Sequence, residues 1–180
     1  MIKKIMLLIL IGFSVSFLAK PSYNLLYWKY SNAVDDVIWE KHILGKNIKN
    51  IKPYGWLQIE KIGINTLITD DISEKNLMKY PCVLKSATEN SSDNTIILAH
   101  RDRHFNNLKN INKSCIISFS DVNNLTKNYN ILETKIIPKE NLNDLLNVFE
   151  GQNLLILVTC YPFKYIGSAP DRFIVIAKAE

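Results

Sequence analysis

The sequence predicts a mainly β domain, closed or sandwiched, with antiparallel strands and a few short helices. Seven short runs rich in β-branched and aromatic residues follow residue 55, each bounded by Gly, Pro, Asn, Asp or Ser, the punctuation of strands and tight turns. Only two segments in the same stretch carry a helical pattern. Neither GxGxxG nor GxxxxGK[ST] occurs, which disfavours nucleotide-binding α/β enzymes.

Taken in chain order, the first element is MIKKIMLLILIGFSVSFLAK, residues 1–20. Two lysines precede an apolar stretch from Ile5 to Ala19, the pattern of an export signal or an anchor. Ser14, Val15 and Ser16 make a mediocre cleavage site, so the expectation is an uncleaved single-pass signal-anchor. Lys3 and Lys4 would stay in the cytoplasm and everything after residue 20 would lie outside the membrane. Residues 21–53 then read as a juxtamembrane helix and a linker. Leu25, Val34, Ile38 and Trp39 recur at helical spacing, and the stripe suits either the lipid interface or, preferably, packing on the folded domain. The segment GKNIKNIKPYG carries Gly45, Pro53 and Gly55 and little that could be buried, so the folded domain begins near Trp56.

The strand candidates are WLQIE, GINTLIT, NTIILAH, CIISFSD, YNILETKII, NLLILVTC and RFIVIAKA. The helix candidates run from Ile72 to Met78 and from Glu140 to Phe149, and FNNLKNI after the HRDRH segment reads as a turn. With 47% hydrophobic and 22% charged residues in 180, one domain with a real core is expected. The net charge of +5 comes from scattered lysines without interleaved aromatics, so a nucleic-acid groove is not expected, and attraction to an anionic membrane surface is. Cys82, Cys115 and Cys160 are odd in number and far from CxxC spacing, which argues against a disulfide framework or a closed zinc cluster. A Cys82–Cys115 bridge cannot be read from spacing.

Two segments concentrate reactive groups at strand ends: ILAHRDRHF, where His100 closes an apolar run, and LVTCYPFKYIGSAPDR, where Cys160 closes one run and Arg172 opens the next. Of 22 basic residues only Arg101, Arg103 and Arg172 are arginine, and all three fall in these segments. A thiol with a reference pKa near 8.5 needs a cationic neighbour to become a useful nucleophile. An arginine fork is a strong fixed donor to an oxyanion, and an imidazolium can protonate a departing amine. His100 and His104 have HxxxH spacing, but a strand end gives no helical face, so no metal is expected there; Asp102 is expected to pair with Arg101 or Arg103. No DxDxDG calcium loop is present, although carboxylates from separate loops could hold calcium without a motif. No cofactor is expected.

LVTCYPF with APDRFIV resembles the TLxTC…R signature of sortases, the cysteine transpeptidases of bacterial surfaces. TIILAHRDRHF is similar to their histidine segment, and LQIEKIGI to the opening of the same domain. With the anchor, aromatic helix and Pro-containing linker, the chain is most similar to the single-pass, class D/E-like sortases of Gram-negative bacteria. The resemblance implies a closed eight-stranded β-barrel over residues 54–180, with Cys160 as nucleophile, His100 as acid/base partner and Arg172 as oxyanion or substrate clamp. It implies substrate contacts for Thr159, Tyr161, Phe163 and Arg101. It further implies a plasma (inner) membrane enzyme, catalytic domain on the extracytoplasmic side. There it would cleave the C-terminal sorting signal of an exported protein through a thioester and pass it to an amine. Glu60 where the family commonly has proline, Ala99 in place of glycine, and a segment 70–94 without glycines are departures. Two other functions fit the residues: a thiol hydrolase using water as acceptor, and a non-catalytic β-domain for surface assembly.

Overall fold

A computed structural model of the chain describes residues 34–45, 51–84, 94–149 and 151–180. The expected anchor, residues 1–20, lies outside the described residues, and no described helix is long and apolar enough to cross a membrane. The chain divides into two compact units, Met1–Val37 and Ile38–Glu180. Of the first, only residues 34–37 are described, and they belong to a helix, α1, running over residues 34–43.

The second unit is a closed barrel of eight strands: β1 (Pro53–Ile59), β2 (Ile64–Thr69), β3 (Cys82–Leu84), β4 (Thr95–Leu98), β5 (Ile116–Asp121), β6 (Thr126–Pro138), β7 (Leu154–Tyr161) and β8 (Asp171–Ala179). Around the barrel they lie in the order β1, β2, β3, β4, β7, β8, β6, β5. Two short helices, α2 (Glu74–Leu77) and α3 (Leu142–Val148), fall inside the two segments expected to be helical, and FNNLKNI forms a 3₁₀ turn over Asn106–Asn110. The expectation of uniformly antiparallel strands is corrected: β2 pairs with β3 and β4 pairs with β7 in parallel. The three-residue β3 hides in the segment 70–94, too short to show an alternating pattern.

The burial patterns follow from what covers each strand. Strand β6 alternates buried or half-buried with exposed positions, as a strand with one solvated face should. In β7, Leu154 to Thr159 are all buried. Leu155 and Leu157 point into the barrel with Val175 and Ala177 of β8, whereas Ile156 and Val158 pack with Ile174, Ile176 and the apolar face of α3. A run buried on both sides reads as continuous hydrophobicity, which is why NLLILVTC lacks alternation. Each such Leu or Ile contributes on the order of 2 kcal/mol through its buried area.

Of the two roles open to the aromatic helix, the structure shows packing for its C-terminal part. Ile38 and Trp39 are each 8% exposed, and Trp39 stacks on Trp56 of β1 with centroids 5.9 Å apart. Cys82, Cys115 and Cys160 are all free thiols, the first two buried, so no Cys82–Cys115 bridge forms.

Gly55 marks the closest approach of β1 to β5. A Cβ there would meet the Phe119 ring and, at 2.6 Å, the Ser120 carbonyl oxygen, a backbone atom held in the ladder. We expect Gly55→Ala to cost about 1–3 kcal/mol and to lower Tm by about 3–10 °C, measurable by thermal denaturation; an unchanged Tm would show that β5 can shift. His104 is buried, and its pKa is lowered to about 4, first by desolvation and then by the charges of Arg103 and His100. The folded state keeps His104 neutral where the unfolded chain, with a pKa near 6.5, is protonated. Stability should therefore be full above about pH 6.5 and fall towards pH 4, by on the order of 2–3 kcal/mol. Urea titrations at several pH values should show a shallower acid slope for His104→Phe; parallel lines would refute the assignment.

Candidate active site

Strand direction assembles the site. Because β4 and β7 are parallel, with Leu98 opposite Val158, their C-terminal ends finish at one rim. Because β8 is antiparallel to β7, it begins at that rim, with Arg172 directly opposite Cys160. His100 follows the end of β4 by two residues, next to Ala99, whose amide donates to the Val158 carbonyl. The two-residue period of strands then sets which way each side chain points. Leu98, Val158 and Ile174 belong to the apolar patch outside the barrel, under α3. One step further along, Cys160 and Arg172 continue two of these rows past the apolar patch, and His100, just beyond β4, reaches the same cavity.

They share a cavity of about 250 Å³, lined also by Arg101, Asp102 and residues 167–169 of the β7–β8 loop. Cys160, His100 and Arg172 are each half-buried: open enough to meet a substrate, packed enough to hold position. Arg172 donates through Nη1 to the carbonyls of Asp171 at 2.9 Å and Ala169 at 3.4 Å. Among the described residues its Nη2 and Nε have no protein partner, so part of the fork stays available.

Thr159 does not line this cavity. It points inward, is 2% exposed, and its hydroxyl donates to the Ala99 carbonyl at 2.7 Å, while the Ala99 amide donates to the Val158 carbonyl at 3.2 Å. These two bonds join β7 and β4 one residue before the thiol and one before the imidazole. Tyr161 and Phe163 also lie outside the cavity lining. With Phe173 they form an aromatic cluster, the Phe163 and Phe173 centroids 5.3 Å apart, and both phenylalanines pack against the barrel core.

Arg101 does reach the cavity, but its Nη2 donates to the carbonyls of Tyr165 at 3.0 Å and Gly167 at 3.3 Å, and its guanidinium lies 5.8 Å from the Tyr165 ring centroid. Its guanidinium thus fastens the β7–β8 loop to the His100 turn. Arg103 turns the other way and donates to the Met78 carbonyl beyond α2. Asp102 therefore pairs with neither arginine, contrary to the expectation for it. The sequence singled out Asp102 only as an arginine partner and did not place it, or the backbone at 167–169, in the cavity. Nothing in the sequence pattern showed which way the arginines turn.

The chain matches the family model of the sortase domain over residues 57–180. It is 29% identical over 143 residues to sortase D of Bacillus subtilis (strain 168), covering 74% of this chain and 69% of that one. Among solved structures, it is similar to the catalytic domain of B. anthracis SrtD, with a TM-score of 0.56 and 28% identity over 72% of this chain and 88% of that one. A Clostridium perfringens sortase D5 transpeptidase shares the fold at a TM-score of 0.59 and 23% identity, over 88% of this chain and 97% of its own. These relatives carry the class D part of the resemblance and do not bear on its Gram-negative part. With barrel, rim and family model in agreement over most of its length, the chain belongs to the sortases, the cysteine transpeptidases.

Proposed function

We propose that Cys160 is the nucleophile of this transpeptidase, His100 its acid/base partner and Arg172 the donor to the oxyanion. The observation that carries the assignment is the convergence of these three side chains on one cavity from three adjacent strand ends. The Cys160 thiolate attacks a backbone carbonyl, and the negative charge that develops on oxygen meets the free part of the Arg172 fork. The C–S bond forms, the C–N bond breaks, and imidazolium His100 passes its proton to the departing amine. An incoming amine then resolves the thioester.

The substrate proposed is an exported protein bearing a C-terminal sorting signal, with an amine-bearing molecule as acceptor. The proposed location is the bacterial plasma membrane, reached through residues 1–20 as a single-pass anchor, with the barrel on the extracytoplasmic side. Support for that placement is the Lys-flanked apolar start of the sequence. Alkaline extraction of membranes tests it: release of the full-length chain into the supernatant would rule the anchor out.

Cys160→Ala should abolish both the covalent adduct and peptide cleavage, read by mass spectrometry after trapping from a peptide library; an adduct that survives in this variant would sink the assignment. Arg172→Lys should lose about 10²-fold or more in kcat, because a point charge cannot reproduce a planar fork already tied to Asp171 and Ala169. Turnover near the wild-type rate would refute the role of Arg172.

A further inference from the structure

The HRDRH turn sets one carboxylate between two arginines, and both arginines are engaged elsewhere. Arg101 is turned to the Tyr165 and Gly167 carbonyls and Arg103 to the Met78 carbonyl. Among the described residues the Asp102 carboxylate has neither a hydrogen-bond nor an ion-pair partner, although it sits within one residue of two permanent cations. It is exposed, and it lines the same cavity as Cys160. Within that lining it is the one carboxylate, in company with Arg101, Arg172 and His100.

A cavity so composed would repel a cation if Asp102 were absent. Yet the second half of a transpeptidation needs an amine, which at neutral pH travels as an ammonium. We infer that Asp102 receives the ammonium of the acceptor and so determines which nucleophile resolves the thioester, a role that rests on the assignment of Cys160 and His100 proposed above. It does not orient the imidazole, because no hydrogen bond links it to His100.

The step balances as follows. The acceptor enters as R–NH₃⁺ against the Asp102 carboxylate, which offsets the field of Arg101 and Arg172, and it releases one proton to water. The nitrogen lone pair of R–NH₂ forms the C–N bond at the thioester carbonyl, and the C–S bond breaks with its electron pair leaving on Cys160. The second amine proton passes to His100, neutral since the first half-reaction. Thiolate and imidazolium are thereby restored.

The test uses the full chain, the donor peptide identified by thioester trapping, and two acceptors: glycinamide, mainly a cation at pH 7, and hydroxylamine, mainly neutral. In Asp102→Asn the acceptor KM should rise about fivefold more for glycinamide than for hydroxylamine, the scale of one solvent-accessible ion pair. Asp102→Glu should recover most of the preference. Equal shifts for both acceptors would overturn the role, since a merely structural loss cannot tell charge apart. A second measurement needs no donor: the rate at which Cys160 reacts with a cationic, trimethylammonium-bearing methanethiosulfonate relative to its anionic, sulfonate-bearing counterpart. That ratio should fall about fivefold in Asp102→Asn, and an unchanged ratio would also overturn the inference. A wild type that forms the thioester but no glycinamide product removes the acceptor step and the transpeptidase assignment together. Product formation with an unaltered preference in Asp102→Asn removes the role of Asp102 alone.

Discussion

Everything at the rim depends on the parallel pairing of β4 with β7. Had those strands run antiparallel, as most neighbours in the barrel do, His100 and Cys160 would finish at opposite ends of the domain. A parallel pair needs a long connection, and here the chain between Leu98 and Leu154 supplies it by building β5, β6 and α3 before returning. The long detour is thus a condition of the site. The rest is parity: Cys160 and Arg172 each stand two positions from an apolar neighbour under α3, so two rows that are apolar along most of their length end at the cavity, which His100 enters from just past β4.

The arginines explain how loops without regular structure acquire fixed geometry. Each of the three described guanidiniums donates to backbone carbonyls: Arg101 to the β7–β8 loop, Arg103 to the segment after α2, and Arg172 to its own approach. An ammonium could supply charge but not two donors at a fixed angle. In a chain where lysine fills nearly every other basic position, arginine stands where carbonyls at a strand end need a planar partner. Cavity shape and cavity charge are therefore set by the same residues.

Much of this was legible in the sequence. Seven strands and both helices showed in the hydrophobic runs, and HRDRHF and LVTCYPF marked the segments that converge. What stayed hidden has particular causes. Strand β3 is three residues long and pairs with β2 through a single register position, Thr69 with Cys82. The direction of pairing leaves no trace in composition, so β4 and β7 looked like any other neighbours. Thr159 sits beside the thiol in sequence, yet a pleat turns it to the opposite face, where its hydroxyl meets Ala99. Asp102 looked like a partner for its flanking arginines because sequence shows adjacency and conceals the carbonyls that draw those arginines away.

The bond from Thr159 to Ala99 has a consequence for how the enzyme fails. Both groups are buried, and opening the bond requires parting β7 from the residue that follows β4. Together with the bond from the Ala99 amide to the Val158 carbonyl, it ties the residues just before the thiol and the imidazole, and exchange of the Ala99 amide with solvent reports how often this end of the pairing opens. Parting the strands at this rim separates Cys160 from His100, so the spacing of the pair is only as durable as these two bonds.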